Sequence, residues 1–262
     1  MYHPAVAAAI TRESRKTLFQ LRDLSEEHGM PSIYGHTDSI FVQVDTPEEC
    51  VEKMKIINEL MSPIETEFEK WSERMIIKAK NRYAGKVTWT DGEHHEPDYY
   101  VKGIEIKQKR MPDAMQHIMS VAINSILDGA DEQSVTGSIC DFIHRVVEKE
   151  IPLDELKMKG KLKRDLDKYK SISGAASGAM WANRNIGKEY RAGDYFWCLL
   201  DEGGNYIAFD KVEEIPSRVR IGYKVFVERF IIEKIRFYYE TISWDMQPLI
   251  LAMNGRRQAE WL

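Results

Sequence analysis

Apolar positions recur at helical spacing in the first stretch of the chain. Ile10, Leu18, Leu21 and Leu24 fall near one face, which predicts a helix over residues 7–28 with Gly29 as its stop. The period then changes. Residues 32–35 and 39–44 are two β-rich runs joined by the polar segment His36-Thr37-Asp38, the pattern of a hairpin. A second helix follows: Thr46 can cap it, Pro47 suits its first position, Glu49 completes a capping box, and Val51, Met54, Ile57 and Met61 form its apolar face. Residues 68–107 read as β again, with runs at 74–80, 83–89 and 99–107 and a turn at Asp91-Gly92.

After Pro112 the helical period takes over. Met115, Ile118, Met119, Ala122 and Ile126 end at Asp128-Gly129, and Val135, Ile139, Phe142, Ile143 and Val146 continue it. A shorter helix is expected from near Ser173, a β-rich insert over 195–209, and a long apolar helix over 223–242. The first part is therefore α+β and the second mostly helical, with no internal repeat.

Composition narrows the class. The 262 residues are 43% hydrophobic and 30% charged, enough to bury one large core or two modest ones. No apolar run reaches the roughly 20 residues of a bilayer span, and the first residues show no secretory pattern, so a cytoplasmic protein without membrane attachment is expected. Cys50, Cys140 and Cys198 lie too far apart for a CxxC motif, in keeping with a reducing compartment. The net charge of -5 argues against a nucleic-acid partner, but its distribution does not. Residues 1–105 carry 13 basic and 19 acidic groups, whereas 106–262 carry 24 and 23. Within 157–170, seven basic groups (Lys157, Lys159, Lys161, Lys163, Arg164, Lys168, Lys170) face only Asp165 and Asp167, a local +5 with Tyr169 among them. Such a run suits phosphate, although a solvated face has the same composition.

The hairpin tip holds the candidate chemistry. A tight turn exposes a carboxylate at the rim of a sheet, where hard divalent cations take oxygen ligands, so Asp38 is the candidate metal ligand. An ordinary turn aspartate bonded to its own backbone is the alternative. The segment Asp91-Gly-Glu-His94-His95-Glu-Pro-Asp98 is rich in donor atoms but reads as a solvated hairpin rather than a metal site. Gly174-Ala-Ala-Ser-Gly178 lacks the Lys-Ser/Thr of a phosphate loop and reads as close helix packing.

Tyr34-Gly35-His36-Thr37-Asp38-Ser39 resembles the Tyr-Gly-Asp-Thr-Asp-Ser motif of family B DNA polymerases, with histidine in place of the first aspartate. Three further segments follow in the family's order. Lys80-Asn81-Arg82-Tyr83 is similar to the Lys-Lys-Arg-Tyr segment that touches the primer. Lys102-Gly103-Ile104-Glu105-Ile106 resembles the Arg-Gly-Leu-Glu-Val strand leading from palm to thumb, with Gln108-Lys109-Arg110 where Arg-Arg-Asp is usual. Lys163-Arg164-Asp165-Leu166-Asp167-Lys168-Tyr169-Lys170, followed by Arg191-Ala192-Gly193-Asp194, is similar to the thumb segment that grips duplex.

The resemblance implies an α+β fold, a partial polymerase palm (antiparallel sheet with helices) over 1–107 followed by a mainly helical thumb over 108–262. It implies Asp38, His36 and Thr37 as the catalytic hairpin, Asp38 being a ligand of a two-Mg²⁺ site. His36 would still project toward the metals but is a poor Mg²⁺ ligand. DNA contacts are expected from Lys80, Arg82, Tyr83, Gly103, Lys107, Lys109, Arg110, Lys161, Lys163, Arg164, Tyr169 and Lys170.

The family's Ser-Leu-Tyr-Pro palm motif, the finger helix with Asn-Ser-x-Tyr-Gly and the exonuclease domain have no counterpart in this sequence. The resemblance therefore implies the small C-terminal subunit of a split polymerase, as in some archaeal relatives. A large partner chain would complete the metal site, and primer–template DNA and deoxynucleoside triphosphates would be bound jointly. A non-catalytic DNA-binding or assembly subunit with a decayed site is the alternative. Gln247-Pro-Leu-Ile250 and Gln258-Ala-Glu-Trp-Leu262 bear a faint similarity to a sliding-clamp peptide, for which an amphipathic helix end is the plainer account.

Overall fold

Helix α1 (Pro4–Glu27) starts on a proline, whose fixed φ suits the first helical turn, but only its C-terminal half finds a core. Leu21 and Ser25 are buried, whereas Ile10, expected on the buried face, is 63% exposed. The elements that cover α1 are short, and they reach only its later turns. They are the hairpin β1 (Ser32–His36) and β2 (Ser39–Val42) and the helix α2 (Pro47–Met61). Their shared core is Leu21, Met30, Cys50, Ile57 and Met61, with Leu24, Ile40 and Val42 against it. At the start of α2, Thr46 accepts the Glu49 N–H as its cap. The reciprocal half of the box is displaced by one residue, because Glu49 accepts the Asp45 N–H at 3.3 Å.

The computed structural model describes residues 3–104, 111–172 and 174–256. They fall into two compact units, one of residues 1–81 and 85–100 and one of 82–84 and 101–262. A three-stranded sheet follows α2 in the order β3 (Lys70–Ala79), β4 (Arg82–Thr90), β5 (Glu93–Lys102). The Asp91-Gly92 turn has φ of +50° and +97°, the left-handed pair that two-residue hairpins favour, and it lets β5 begin at Glu93 rather than at Tyr99 as the sequence pattern predicts. The His94–His95 segment is thus strand. His94 Nε2 lies 2.6 Å from Glu48, and His95 Nε2 lies 3.0 Å from the Thr90 hydroxyl.

The second unit has a helical and a β part. Its helices are α3 (Asp113–Asp128), α4 (Glu132–Val147), the short α5 (Leu153–Leu156), α7 (Tyr223–Val227), α8 (Glu233–Thr241) and α9 (Gln247–Met253). The long apolar helix expected over 223–242 is continuous from α7 to α8 but carries a π turn at Glu228–Ile232. A physical reason is legible: Val227, Ile231, Ile235 and Tyr239 are buried at strict four-residue spacing, which drifts off a 3.6-residue helix, and the wider turn absorbs the drift. Tyr239 shares a 2.9 Å hydrogen bond with Thr136 of α4, so its buried hydroxyl is satisfied.

The β part is an antiparallel sheet in the order β6 (Met158–Lys161), β7 (Tyr195–Leu200), β8 (Tyr206–Phe209), with α6 (Ala175–Asn185) packed on it. Gly178 of α6 sits where a Cβ would be 3.3 Å from Cys198 and Tyr206, the close packing expected of that small-residue stretch. The three cysteines are free and buried, and burial pushes their thiols up to about 11 for Cys50 and about 12 for Cys140 and Cys198, so they are protonated and inert at neutral pH.

Below this sheet, Lys188 Nζ lies 2.5 Å from Asp210 and 2.8 Å from Glu214, and the Tyr190 hydroxyl donates to Asp210 at 2.7 Å. Burial pushes the Asp210 carboxyl up, but the hydrogen bonds from Lys188 and Tyr190 outweigh it and leave the group below its ordinary range. Glu214 is held low chiefly by Lys188, and Lys188 is raised by the two carboxylates. Depressed carboxyls contribute stability above their unfolded values near pH 4 that is lost as pH falls through the folded ones. Raised Lys188, and Tyr190, raised by burial and by Asp210, contribute stability below about pH 10 that is lost above it. Urea melts at pH 3, 7 and 11 are expected to show stability highest at pH 7, with a smaller loss at both extremes in Lys188→Met. Equal losses in the variant would show that the network is not responsible.

Candidate functional site

In the first unit, β1 and β2 pair in the register Tyr34↔Phe41, Gly35↔Ile40 and His36↔Ser39, which leaves Thr37-Asp38 as a two-residue turn. Neither turn residue has a positive φ among the described backbone. Both are exposed, and the Asp38 carboxylate makes no hydrogen bond or ion pair with any described residue. The backbone bond of an ordinary turn aspartate is therefore not formed. His36 is half-buried, with its Nε2 3.4 Å from the Thr37 hydroxyl.

The hairpin is braced. The Tyr34 ring packs against that of Phe41 in a tilted arrangement with centroids 5.3 Å apart, and its hydroxyl accepts the Asn81 N–H at 2.8 Å. Asn81 sits at φ +60° in the two-residue turn between β3 and β4, a left-handed position that asparagine tolerates better than most residues. This bond brings the Lys80-Asn81 turn to the hairpin that carries Asp38. Lys80 is exposed beside it.

Among the described residues no three carboxylate, histidine or cysteine side chains gather as a metal cage. The exposed oxygens of Asp38 are of the hard type that divalent cations take, and one carboxylate would fill only part of such an ion's shell.

In the second unit, Arg82 is exposed, while Tyr83 is 6% exposed and has Lys102 Nζ 5.7 Å from its ring centroid. Tyr83 is thus mainly a packed ring. Gly103 has φ +64°, a conformation that disfavours other residues. Lys107, Lys109 and Arg110 lie outside the described residues.

The loop after β6 and the turn before β7 converge. Leu162 accepts the Gly193 N–H at 2.8 Å and donates its own N–H to Asp194, and Asp165 accepts the Ala192 N–H at 3.0 Å. Tyr169 accepts the Lys163 N–H at 3.1 Å, with the Arg164 guanidinium 5.5 Å from its ring. Lys168 holds the Asp165 carboxyl below its usual range, helped by the Ala192 N–H, and is itself raised by Asp165. Two of the seven basic groups are thereby neutralised, Lys168 by Asp165 and Lys157 by Asp154. Lys163, Arg164 and Lys170 are exposed and form no ion pair with a described carboxylate. The DNA contacts expected from the sequence include Lys161 but not its strand neighbour Lys159, which is exposed and whose outward place was readable from the alternation of lysine with buried residues.

Comparison with known proteins places these geometries in context. The model of DNA polymerase family B matches residues 1–237. The chain is 26% identical over 208 residues to a DNA polymerase of Archaeoglobus fulgidus, covering 78% of this chain and 25% of that one. It is 23% identical over 223 residues to the mouse DNA polymerase alpha catalytic subunit, covering 79% and 15%. It is 31% identical over 138 residues to the Plasmodium falciparum DNA polymerase delta catalytic subunit, covering 47% and 12%. The matched region spans a quarter or less of the length of these relatives.

Proposed function

Since a family model accounts for residues 1–237, the chain belongs to DNA polymerase family B, and from that premise we propose that it is the small palm and thumb subunit of a split DNA-directed DNA polymerase. The observation that carries this reading is the exposed, unpartnered carboxylate of Asp38 at a braced hairpin tip. Asp38 would hold Mg²⁺ together with a carboxylate of a large partner chain that supplies the remaining palm, the fingers and the exonuclease. When bound, such ions neutralise charge on the transferring phosphates. In the first unit Tyr34 fixes the hairpin to the Lys80-Asn81 turn, and in the second Lys163, Arg164 and Lys170 would offer cations to duplex phosphates without reading sequence.

A partner chain is supported by surface chemistry. Among the described residues, Val6, Ile10, Phe19, Ile33, Ile56, Leu60 and Ile64 of the first unit are large apolar side chains between 41% and 63% exposed. Outer strand edges of the two-stranded β1–β2 hairpin are also unpaired by any described strand. A second reading, a non-catalytic DNA-binding subunit, is favoured by His36 in the place of the family's first aspartate. Primer extension decides between them. A reconstituted pair of this chain and a polypeptide carrying the Ser-Leu-Tyr-Pro and Asn-Ser-x-Tyr-Gly motifs is expected to extend a labelled primer with Mg²⁺ and deoxynucleotides, while neither chain does so alone. A stable pair that binds primer–template but never extends it would establish the second reading.

A further inference from the structure

A cleft at the end of α6 involves none of the residues assigned to metal or DNA. We propose that it is an anchor site for a carboxylate-bearing segment of another protein. Arg218 and Arg220 clamp the carboxylate, and a neighbouring apolar side chain of that segment packs on Trp181. The inference goes beyond the polymerase reading and does not depend on it.

Three pieces of chain build the cleft. Helix α6 contributes Trp181 and Asn185, which lie four residues apart and so share one face, and the Asn185 amide donates to the Trp181 carbonyl at 2.8 Å. Ala179 and Ala182 of the same helix are buried in the core, while Trp181 packs only partly against it. The turn between β7 and β8 supplies Asp201 and Glu202. Residues 218–220 form the third wall. They are held beside that turn because the Glu202 N–H donates to Arg220 at 3.0 Å and Asp201 bridges Ile221. The cleft measures about 320 Å³, at the lower end of ligand sites, which gives room for one anchored side chain rather than for a cofactor.

The chemistry of the walls selects the ligand. Arg218 is exposed and pairs with no described carboxylate, and Arg220 reaches only Glu202, at 3.9 Å with the two side chains 83% and 61% exposed. So open a pair is worth little, and an incoming carboxylate can displace Glu202. Asp201 does not compete for the arginines, since its carboxylate is held by the Asn205 N–H at 2.8 Å and the Asn205 amide at 3.0 Å. Trp181 and Val219, both half-buried, offer the apolar surface. Two guanidiniums against two carboxylates leave the lining without net charge. A nucleic-acid strand, whose affinity grows with the number of phosphates neutralised, gains little from that balance. A single carboxylate is still held by a guanidinium in a bidentate, charge-assisted pair. Tryptophan beside arginine is also the composition that dominates the energy of protein interfaces, which favours a peptide as the occupant.

Fluorine NMR of the full chain labelled with 5-fluorotryptophan tests the site, with the Trp181 resonance identified by its loss in Trp181→Phe. The probe is acetyl-Ser-Asp-Phe-Gly-amide, which carries one carboxylate next to one aromatic ring. It is expected to shift the Trp181 resonance saturably at millimolar concentration and to leave the other five of the six tryptophans in place. Asn for Asp in the probe, or Ala for Phe, is expected to weaken binding about tenfold. Arg218→Gln with Arg220→Gln is expected to weaken the Asp probe by the same factor, to leave the Asn probe unaffected, and to keep the melting temperature, both side chains being exposed. Absence of any shift with the Asp probe would overturn the site. Equal binding of the Asp and Asn probes would overturn the clamp and the proposal with it. A hexathymidylate strand that shifts Trp181 at lower concentration than the probe would also overturn it, assigning the cleft to single-stranded DNA. Primer extension by the reconstituted pair is expected to be unchanged in the double variant, so failure of the polymerase reading is scored separately from failure of this one.

Discussion

Asp38→Asn is expected to cut primer extension by the reconstituted polymerase about 10²–10³-fold while leaving the melting temperature of this chain unchanged. The two halves of that expectation come from one observation. Asp38 is exposed and bonded to no described residue, so an isosteric amide removes no fold contact. What it removes is charge at the hairpin tip. Charge stabilisation by a bound cation is worth several kcal/mol at the transition state, and each 1.36 kcal/mol is a factor of ten in rate. His36→Asp is expected to change extension by less than tenfold, because His36 is half-buried beside Thr37 and the Asp38 position is the one that faces solvent. Single-turnover extension with saturating primer–template measures both. Undiminished extension by Asp38→Asn would remove the hairpin from the chemistry, and activity appearing only in His36→Asp would mean that the wild-type site has decayed.

Much of this hairpin was legible in the sequence because its signals are local. Two β-rich runs around a short polar segment fix a turn, although His36, expected in the connection, pairs with Ser39 and leaves a turn of two residues rather than three. The Tyr34–Asn81 bond was not legible, since it joins residues 47 positions apart through one backbone N–H, and no pattern of side-chain types marks a backbone donor. The same division runs through the second unit. Helices α3 and α4 match their apolar periodicity, and Gly129 ends α3 at φ +82° as the sequence suggests. The π turn at Glu228–Ile232 was missed, although a four-residue apolar spacing is its trace. The exposure of Ile10 was also missed, because periodicity reports which face of a helix is apolar and not whether anything covers it. For Lys157 to Lys170, composition suits a phosphate site and a solvated face alike and does not show that the stretch divides into strand at Met158–Lys161 and a 3-10 turn at Leu166–Lys168.

Gly222→Ala is expected to destabilise the second unit by about 3 kcal/mol, the upper end of what overpacking costs. Gly222 closes the junction between the sheet and the helices. Its N–H donates to Leu200 at 2.9 Å, the Glu202 N–H donates to Arg220 at 3.0 Å, and the bridge between Asp201 and Ile221 lies between these bonds. Its carbonyl then accepts the Phe226 N–H as α7 begins. A Cβ at this position would stand 2.2 Å from the Asp201 carbonyl oxygen and 2.7 Å from its carbon. These are backbone atoms, which cannot swing aside as a side chain can, so the bridge must open or the first turn of α7 must move. Gly187→Ala is the control that separates crowding from conformational freedom. Gly187 has φ +69° and open space where a Cβ would go, so alanine there costs only the left-handed penalty of about 1–2 kcal/mol. Thermal melts are expected to fall by about 6–12 °C for Gly222→Ala and by less for Gly187→Ala. The reverse order would mean that the bridge relaxes freely, and α7 would then have to be positioned by its apolar face, through Phe226 and Val227, rather than by the chain that leads into it.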